Sequence, residues 1–150
     1  MTTAPARPNL VAMPLAGAVA VICTATALSG VVSGWAWLGY VIIATVVVAT
    51  AGTVARVVRV PGEVIWAIQL VALVFLTVPL FSRSGALLFL PGPAAINDIT
   101  SLLGQSIDEI RQDVPPVIAD APMLCLITLC TGVVAIAVDT LVATAGVPAT

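Results

Sequence analysis

The sequence predicts an all-α membrane protein in which four membrane-spanning helices form a bundle and one amphipathic helix lies outside the membrane. Hydrophobic residues make up 61% of the 150 residues and charged residues only 8%, whereas a soluble domain carries about 25% charged residues. The apolar residues also fall into runs that are long enough to cross a bilayer, which takes about 20 residues for each helix. The composition therefore excludes an ordinary soluble fold.

The first two predicted spans lie in a stretch that has no charged residue between Arg7 and Arg56. The stretch holds about two span lengths, and the glycines and serines of SGVVSGW, residues 29–35, indicate a turn between them. We therefore expect spans at about 10–28 and 35–54. The core of a signal peptide has only about 7–15 residues, so we expect this longer region to be retained as a membrane anchor.

The other two spans are separated from their neighbours by polar or proline-containing segments. RVVRVPGE, residues 56–63, precedes a third span at about 64–81, and Glu63 suits the positive N-terminal end of that helix. A fourth apolar run begins at Pro122, where a helix tolerates proline, and predicts a span at about 122–145. Four spans place both ends of the chain on the same side of the membrane.

The segment between the third and fourth spans, residues 82–121, contains the predicted amphipathic helix at about 95–113. Five of the twelve charged residues (five basic and seven acidic in all) lie within residues 97–113. Apolar residues three or four apart form one stripe along this helix: Ile96, Ile99, Leu103, Ile107, Ile110 and Val114. The helix either lies on the outer leaflet or caps a larger extracellular domain, and the sequence favours neither.

The arginines predict the orientation of the chain. The four-span arrangement places Arg7, Arg56 and Arg59 on one side of the membrane and Arg83 and Arg111 on the other. Because an excess of basic residues marks the cytoplasmic side, we expect both ends in the cytoplasm and the long loop outside the plasma membrane.

Aromatic side chains with a polar group favour the headgroup level of a bilayer. Several of them stand near the predicted ends of spans, where we expect them to mark the membrane interface. These residues are Trp35, Trp37, Tyr40 and Trp66.

The residue types exclude several classes of function. The net charge is −2, and nucleic-acid binding needs a basic patch to meet the phosphates. The chain has no histidine, which is the commonest general base and a frequent metal ligand. Cys23, Cys125 and Cys130 lie in apolar runs, where cysteine acts as a small packing residue. We therefore predict no catalytic residue, no cofactor and no metal site in this chain.

Asp139 is the acidic residue that lies inside a predicted span. A carboxylate at the bilayer centre costs about 2.5–3.5 kcal/mol on insertion scales. Small or polar residues recur every four positions beside it, which predicts that it faces other helices. Arg56 and Arg59 lie at the same level, so we predict a structural ion pair; the alternative is a proton or ion site. Gln69 in the third span is a further candidate for packing between helices.

Three stretches carry a resemblance to a known family. They are RVVRVPGEVIWAIQLVAL at 56–73, LPGPAAINDITSLLGQSIDEIRQDVPPV at 90–117 and GVVAIAVDTLVATAGVPA at 132–149. In this order they supply an arginine-bearing loop, an outer leucine–proline stretch, a helix that ends at two prolines, and a helix with an aspartate. The chain resembles the N-terminal membrane domain of bacterial TgpA-like transglutaminase-core membrane proteins, especially the actinobacterial members.

The resemblance implies an N-terminal fragment, a single transmembrane domain over residues 1–150, within a longer chain. Family members continue into further membrane helices and an extracytoplasmic transglutaminase-like domain with a Cys-His-Asp triad. No member of that triad maps onto this sequence. The expected function is a membrane-anchoring scaffold of a cell-envelope protein whose partners are the lipid bilayer and the rest of its own chain. The alternative is a free-standing small membrane protein that acts as a transporter subunit or assembly partner; the residues encoded after Thr150 separate the two.

Overall fold

The computed structural model describes residues 12–30, 32–82, 92–112 and 117–145. Five α-helices make up most of these residues: α1 Ala12–Ala25, α2 Ala36–Val57, α3 Gly62–Phe81, α4 Pro93–Gln112 and α5 Ala121–Ala145. A 3-10 turn, Thr26–Gly30, continues α1, and the two-residue strands β1 Val32–Ser33 and β2 Val117–Ile118 pair in parallel. The predicted all-helical class is confirmed, with this small strand pair added to it.

Three of the helices are long and apolar enough to cross a membrane, over Ala36–Val57, Gly62–Phe81 and Ala121–Val142. They correspond to the second, third and fourth predicted spans. The first predicted span coincides with a shorter apolar helical run, Ala16–Gly30. The α-helix that overlaps this run, α1, has 14 residues and without the 3-10 turn is about 21 Å long, against the roughly 30 Å of a hydrocarbon core. A fourth complete span therefore stays a prediction.

The turn between α2 and α3 explains why α2 ends later than predicted. Arg59 has a φ of 63°, and its N–H donates to the Arg56 carbonyl while the Val60 N–H donates to the Ala55 carbonyl. These two bonds around a left-handed residue form a Schellman C-cap, which satisfies the last carbonyls of the helix. Pro61 follows and prevents the helix from continuing, so α2 ends at Val57 and α3 begins at Gly62.

Helix α5 is the centre of the bundle, since it packs against all four other helices. One apolar cluster joins it to α1 and α2 near β1 and β2, and a second lies between α1, α2, α3 and α5 in the middle of the bundle. Gly132 permits a close approach to α3, because a Cβ there would overlap the buried side chain of Leu73. The core is thus built around α5.

The amphipathic helix α4 packs against α5 and, over a smaller area, against α3. Its buried residues are Ala95 and Ser106. The predicted apolar stripe is only partly covered: Ile99 and Leu103 are half-buried, whereas Ile96, Ile107 and Ile110 are about half exposed, and Val114 lies outside the described residues. The stripe therefore borders the contact with the bundle and leaves one apolar flank of α4 uncovered.

Candidate functional site

A bidentate ion pair joins the C-terminal ends of α2 and α5. Arg56 donates from Nη1 to Oδ1 of Asp139 over 3.1 Å and from Nη2 to Oδ2 over 2.6 Å. The exposed fractions of the two side chains are 15% for Arg56 and 9% for Asp139. Two parallel N–H donors on one carboxylate are among the strongest side-chain contacts in proteins, so the pair neutralises a charge that would otherwise be costly in an apolar bundle.

Gln69 brings a third helix into this contact. Its Nε2 donates to Oδ2 of Asp139 over 2.6 Å and to the Val48 carbonyl over 3.3 Å. The residue is fully buried, and its Oε1 has no hydrogen-bond partner among the described residues. The three side chains of Arg56, Gln69 and Asp139, here called the polar cluster, tie α2, α3 and α5 together.

Gly52 makes room for the polar cluster. A Cβ at this position would overlap Nε2 of Gln69 and would stand 2.9 Å from Oδ2 of Asp139. Gly52 is buried within α2, one turn before Arg56. Glycine usually weakens a helix interior by about 0.5–1 kcal/mol relative to alanine, and here the missing Cβ allows the amide of Gln69 to reach the carboxylate.

A small cavity adjoins the polar cluster between α1, α2 and α5. Its volume of about 10 Å³ corresponds to roughly one water molecule. Asp139 and Thr45 line it together with small and apolar residues, and the Thr45 hydroxyl donates to the Val41 carbonyl of its own helix. The space beside Asp139 is therefore too small for an organic ligand.

The structure separates the two arginines that the sequence placed at the level of Asp139. Arg56 lies in the last turn of α2 and points to Asp139. Arg59 is exposed in the turn that follows. Helical phase explains the difference, since Arg56 continues the buried face that includes Gly52, whereas Arg59 lies beyond the helix end.

The four predicted interface aromatics occupy different environments. Trp37 belongs to the core, being 1% exposed, and its Nε1 donates to the Gly34 carbonyl over 2.9 Å. Tyr40 is half-buried against Phe81, with ring centroids 5.5 Å apart. Trp35 is 80% exposed and Trp66 51% exposed. These two lie near opposite ends of the bundle, because α3 begins where α2 ends.

The described residues offer little for catalysis by side chains. No group of three or more His, Cys, Asp or Glu within the described ranges could hold a metal ion. Cys125 is buried, whereas Cys23 and Cys130 are exposed on apolar helices, and all three are free thiols. The arrangement of the polar cluster is suited to holding helices together, since Nη1 and Nη2 of Arg56 and Nε2 of Gln69 all donate to the carboxylate of Asp139 on another helix.

The sequence predicts Gln69 as a packing residue but does not predict its direct bond to Asp139. A signal for the contact was present, because Gln69 is the one side-chain amide in the three long apolar helices. The role of Gly52 was missed as well. It depends on the distance between α2 and α3, and a sequence pattern does not contain that distance.

One known protein family matches most of the chain. Residues 19–150 match the family model described as the TgpA N-terminal domain. No curated protein and no solved structure matches the chain. The family match covers α2 to α5 and all three residues of the polar cluster. The chain therefore belongs to the TgpA N-terminal domain family.

Proposed function

We propose that this chain is the membrane-anchoring and scaffolding module of a transglutaminase-like cell-envelope protein and has no catalytic site of its own. Family membership and three long apolar helices support a place in the membrane. In this proposal residues 1–150 are one transmembrane domain of a longer chain in the plasma membrane. Both ends of the domain face the cytoplasm, and residues 82–121 face the other side.

The observation that carries the scaffold role is the polar cluster, in which the two charges are paired. Arg56 and Asp139 satisfy each other's charge, and Gln69 completes the contact from a third helix. A transport path usually has several ionisable groups around a water-filled cavity, whereas the space beside Asp139 is about 10 Å³. The cluster thus favours a fixed helix arrangement over an ion or proton pathway.

The scaffold has a direct test in the full-length protein. Residues 1–150 would be replaced by an unrelated anchor of four spans, and the abundance and transglutaminase activity of the extracytoplasmic part would be measured in membranes. We expect the swapped protein to stay in the membrane through alkaline extraction but to lose activity or abundance, because a generic anchor lacks the packing surfaces of the native bundle. Unchanged activity and abundance would contradict the scaffold role and leave only a role as a membrane anchor.

The transporter alternative predicts a different result for Asp139→Asn. This change keeps the size of the side chain and removes its charge. If the variant keeps wild-type abundance but loses a proton or ion flux that the wild type shows in vesicles, the transporter hypothesis replaces the scaffold. A coding sequence that stops after Thr150 would also rule out the attached enzyme domain.

Sidedness is tested by labelling single cysteines in intact cells after the three native cysteines are replaced. Gly104→Cys on α4 should react with a membrane-impermeant maleimide, whereas a cysteine at the N-terminus should react only after the cells are opened. The opposite pattern would invert the proposed topology.

A further inference from the structure

An apolar groove of about 180 Å³ lies between α3, α4 and α5. The surface that it exposes is entirely apolar and is open to the outside of the bundle. The lining residues are Val74, Thr77, Ile96, Ile99, Thr100 and Leu129. For comparison, apolar cavities of about 150 Å³ in proteins bind a molecule as large as benzene.

The two threonines of the groove do not make it polar. The Thr77 hydroxyl donates to the Leu73 carbonyl over 2.7 Å, and the Thr100 hydroxyl donates to the Asn97 carbonyl over 2.9 Å. Each hydroxyl hydrogen is thus used within its own helix, a common arrangement for threonine in a helix. The groove therefore presents methyl and methylene groups to its occupant.

The groove lies well inside the length of two candidate spans. Leu129 stands eight residues after the start of α5 at Ala121, which is about 12 Å along the helix. Val74 stands seven residues before the end of α3 at Phe81, which is about 10 Å from that end. A groove at this depth meets the hydrocarbon region when the spans cross a bilayer.

The apolar surface of the groove continues into the exposed faces of the spans. Val71 precedes Val74 by three residues, and Val133 follows Leu129 by four, so each pair shares a helix face. Val71 is 53% exposed and Val133 is 52% exposed. On the α4 side, the lining residue Ile96 is itself about half exposed. The groove is thus a recess in the surface that faces lipid.

We propose that this groove binds one acyl chain of a membrane phospholipid, which lies beneath the N-terminal half of α4. The proposal rests on the membrane location given above and adds a lipid site to it. An acyl chain gains no hydrophobic free energy on leaving the bilayer. It is retained by dispersion contacts, because lining atoms that face an empty space lose their contact partners. A flexible chain follows the shape of the recess, and the lipid then becomes part of the contact between α4 and the spans.

The test uses the full-length protein reconstituted in phosphatidylcholine–phosphatidylglycerol vesicles that contain a phospholipid with a diazirine in one acyl chain. The protein is extracted in a mild detergent, washed to remove surrounding lipid, irradiated, and analysed by peptide mass spectrometry. We expect label to persist on the groove residues, above all Ile96, Ile99 and Leu129, and to be lost from the exposed faces at Val71 and Val133.

Matched variants on α4 separate a bound chain from general contact with lipid. Thr100→Trp fills the groove and should reduce labelling there to the level of the washed outer faces. Ile110→Trp adds the same ring to an exposed position of α4 outside the groove and should leave the label unchanged. Val74→Phe fills the groove from α3 and replaces Thr100→Trp if that variant does not fold, as judged by thermal unfolding.

Three results would overturn the lipid site. The first is equal loss of label from the groove and the outer faces on washing, and the second is undiminished groove labelling in a folded filling variant. The third is an unlabelled groove in a protein where Ile96→Cys forms a disulfide with a cysteine introduced within residues 83–91. The last result would show that the chain itself fills the recess. If the protein is absent from the membrane fraction, the proposed membrane module itself is wrong. That result is distinct from failure of the lipid site, which is judged from the labelling of a membrane-bound protein.

Discussion

Removing one partner of the ion pair should destabilise the bundle far more than removing both. Arg56→Met leaves the carboxylate of Asp139 in the bundle with the amide of Gln69 as its remaining bond. Asp139→Leu leaves the guanidinium of Arg56 without its acceptor. Breaking a buried pair in this way costs about 3 kcal/mol or more, whereas replacing both charges by apolar groups of similar size is often neutral or stabilising.

The two single variants should also differ from each other. Arg56 is the next-to-last residue of α2, and its long side chain can reach the headgroup region once the pair is broken. Asp139 has a short side chain that is enclosed by α2 and α3. We therefore expect Arg56→Met to cost roughly 1 kcal/mol more than Asp139→Leu, because a stranded charge that reaches the headgroup region costs less than one that stays in the bundle.

The assay is a double-mutant cycle on the purified protein, in which stability is measured by unfolding in mixed micelles of increasing SDS content. The double variant leaves the Gln69 amide with only its 3.3 Å bond to the Val48 carbonyl, so its free energy of unfolding should lie within roughly 2 kcal/mol of the wild-type value. The coupling between positions 56 and 139 should then exceed about 2 kcal/mol. Additive losses in the double variant would refute the reasoning, because they would mean that each residue stabilises the bundle through contacts other than the pair.

Three further changes test the close approaches and the helix end by the same unfolding assay. Gly52→Ala should destabilise the protein by about 1–3 kcal/mol through overlap with Gln69. Adding Gln69→Ala to this variant should recover part of the lost stability. No recovery would mean that the loss comes from α2 alone and not from the overlap. Gly132→Ala should lower the stability by a similar amount through overlap with Leu73. Adding Leu73→Ala to this variant should relieve the overlap, but the apolar packing of the Leu73 side chain is then lost. Arg59→Gly should raise stability by up to about 1 kcal/mol, because glycine adopts the left-handed C-cap conformation without strain. A loss of stability would mean that the Arg59 side chain makes a stabilising contact with a group outside the described residues.

Hydropathy predicted the three long helices because lipid requires long uninterrupted apolar runs with all backbone groups bonded internally. It did not predict β1 and β2. Two-residue strands have no periodic signal, and the pairing of Val32 with Val117 joins positions 85 residues apart in the sequence (117 minus 32). The end of α2 was misplaced by three residues, because the C-cap uses Arg59 where glycine is the usual residue.

The candidate site was only partly accessible to sequence reasoning. Because a charge among apolar helices is costly, the sequence predicts that Asp139 pairs with an arginine at its level. The choice between Arg56 and Arg59 depends on where α2 ends, and the contact with Gln69 depends on a close helix approach at Gly52. On α4, periodicity identified residues that share a face, but it could not show that Ala95 and Ser106 would be the ones buried against the bundle.

The register between α2 and α5 is set at both ends of the two helices. Strands β1 and β2 precede these helices and pair in parallel, so α2 and α5 run in the same direction. The ion pair joins them near their other ends, 24 residues after Val32 in one case (56 minus 32) and 22 residues after Val117 in the other (139 minus 117).

A slide of one helix along the other by a single turn, about 5.4 Å, would break both contacts at once. The double variant of Arg56 and Asp139 loses one of these two attachments but should keep its fold. The strand pair still holds one end, and the apolar clusters between α2 and α5 still fill the space between them. The single variants keep the same attachments, so their loss of stability measures the cost of a stranded charge and not a loss of register.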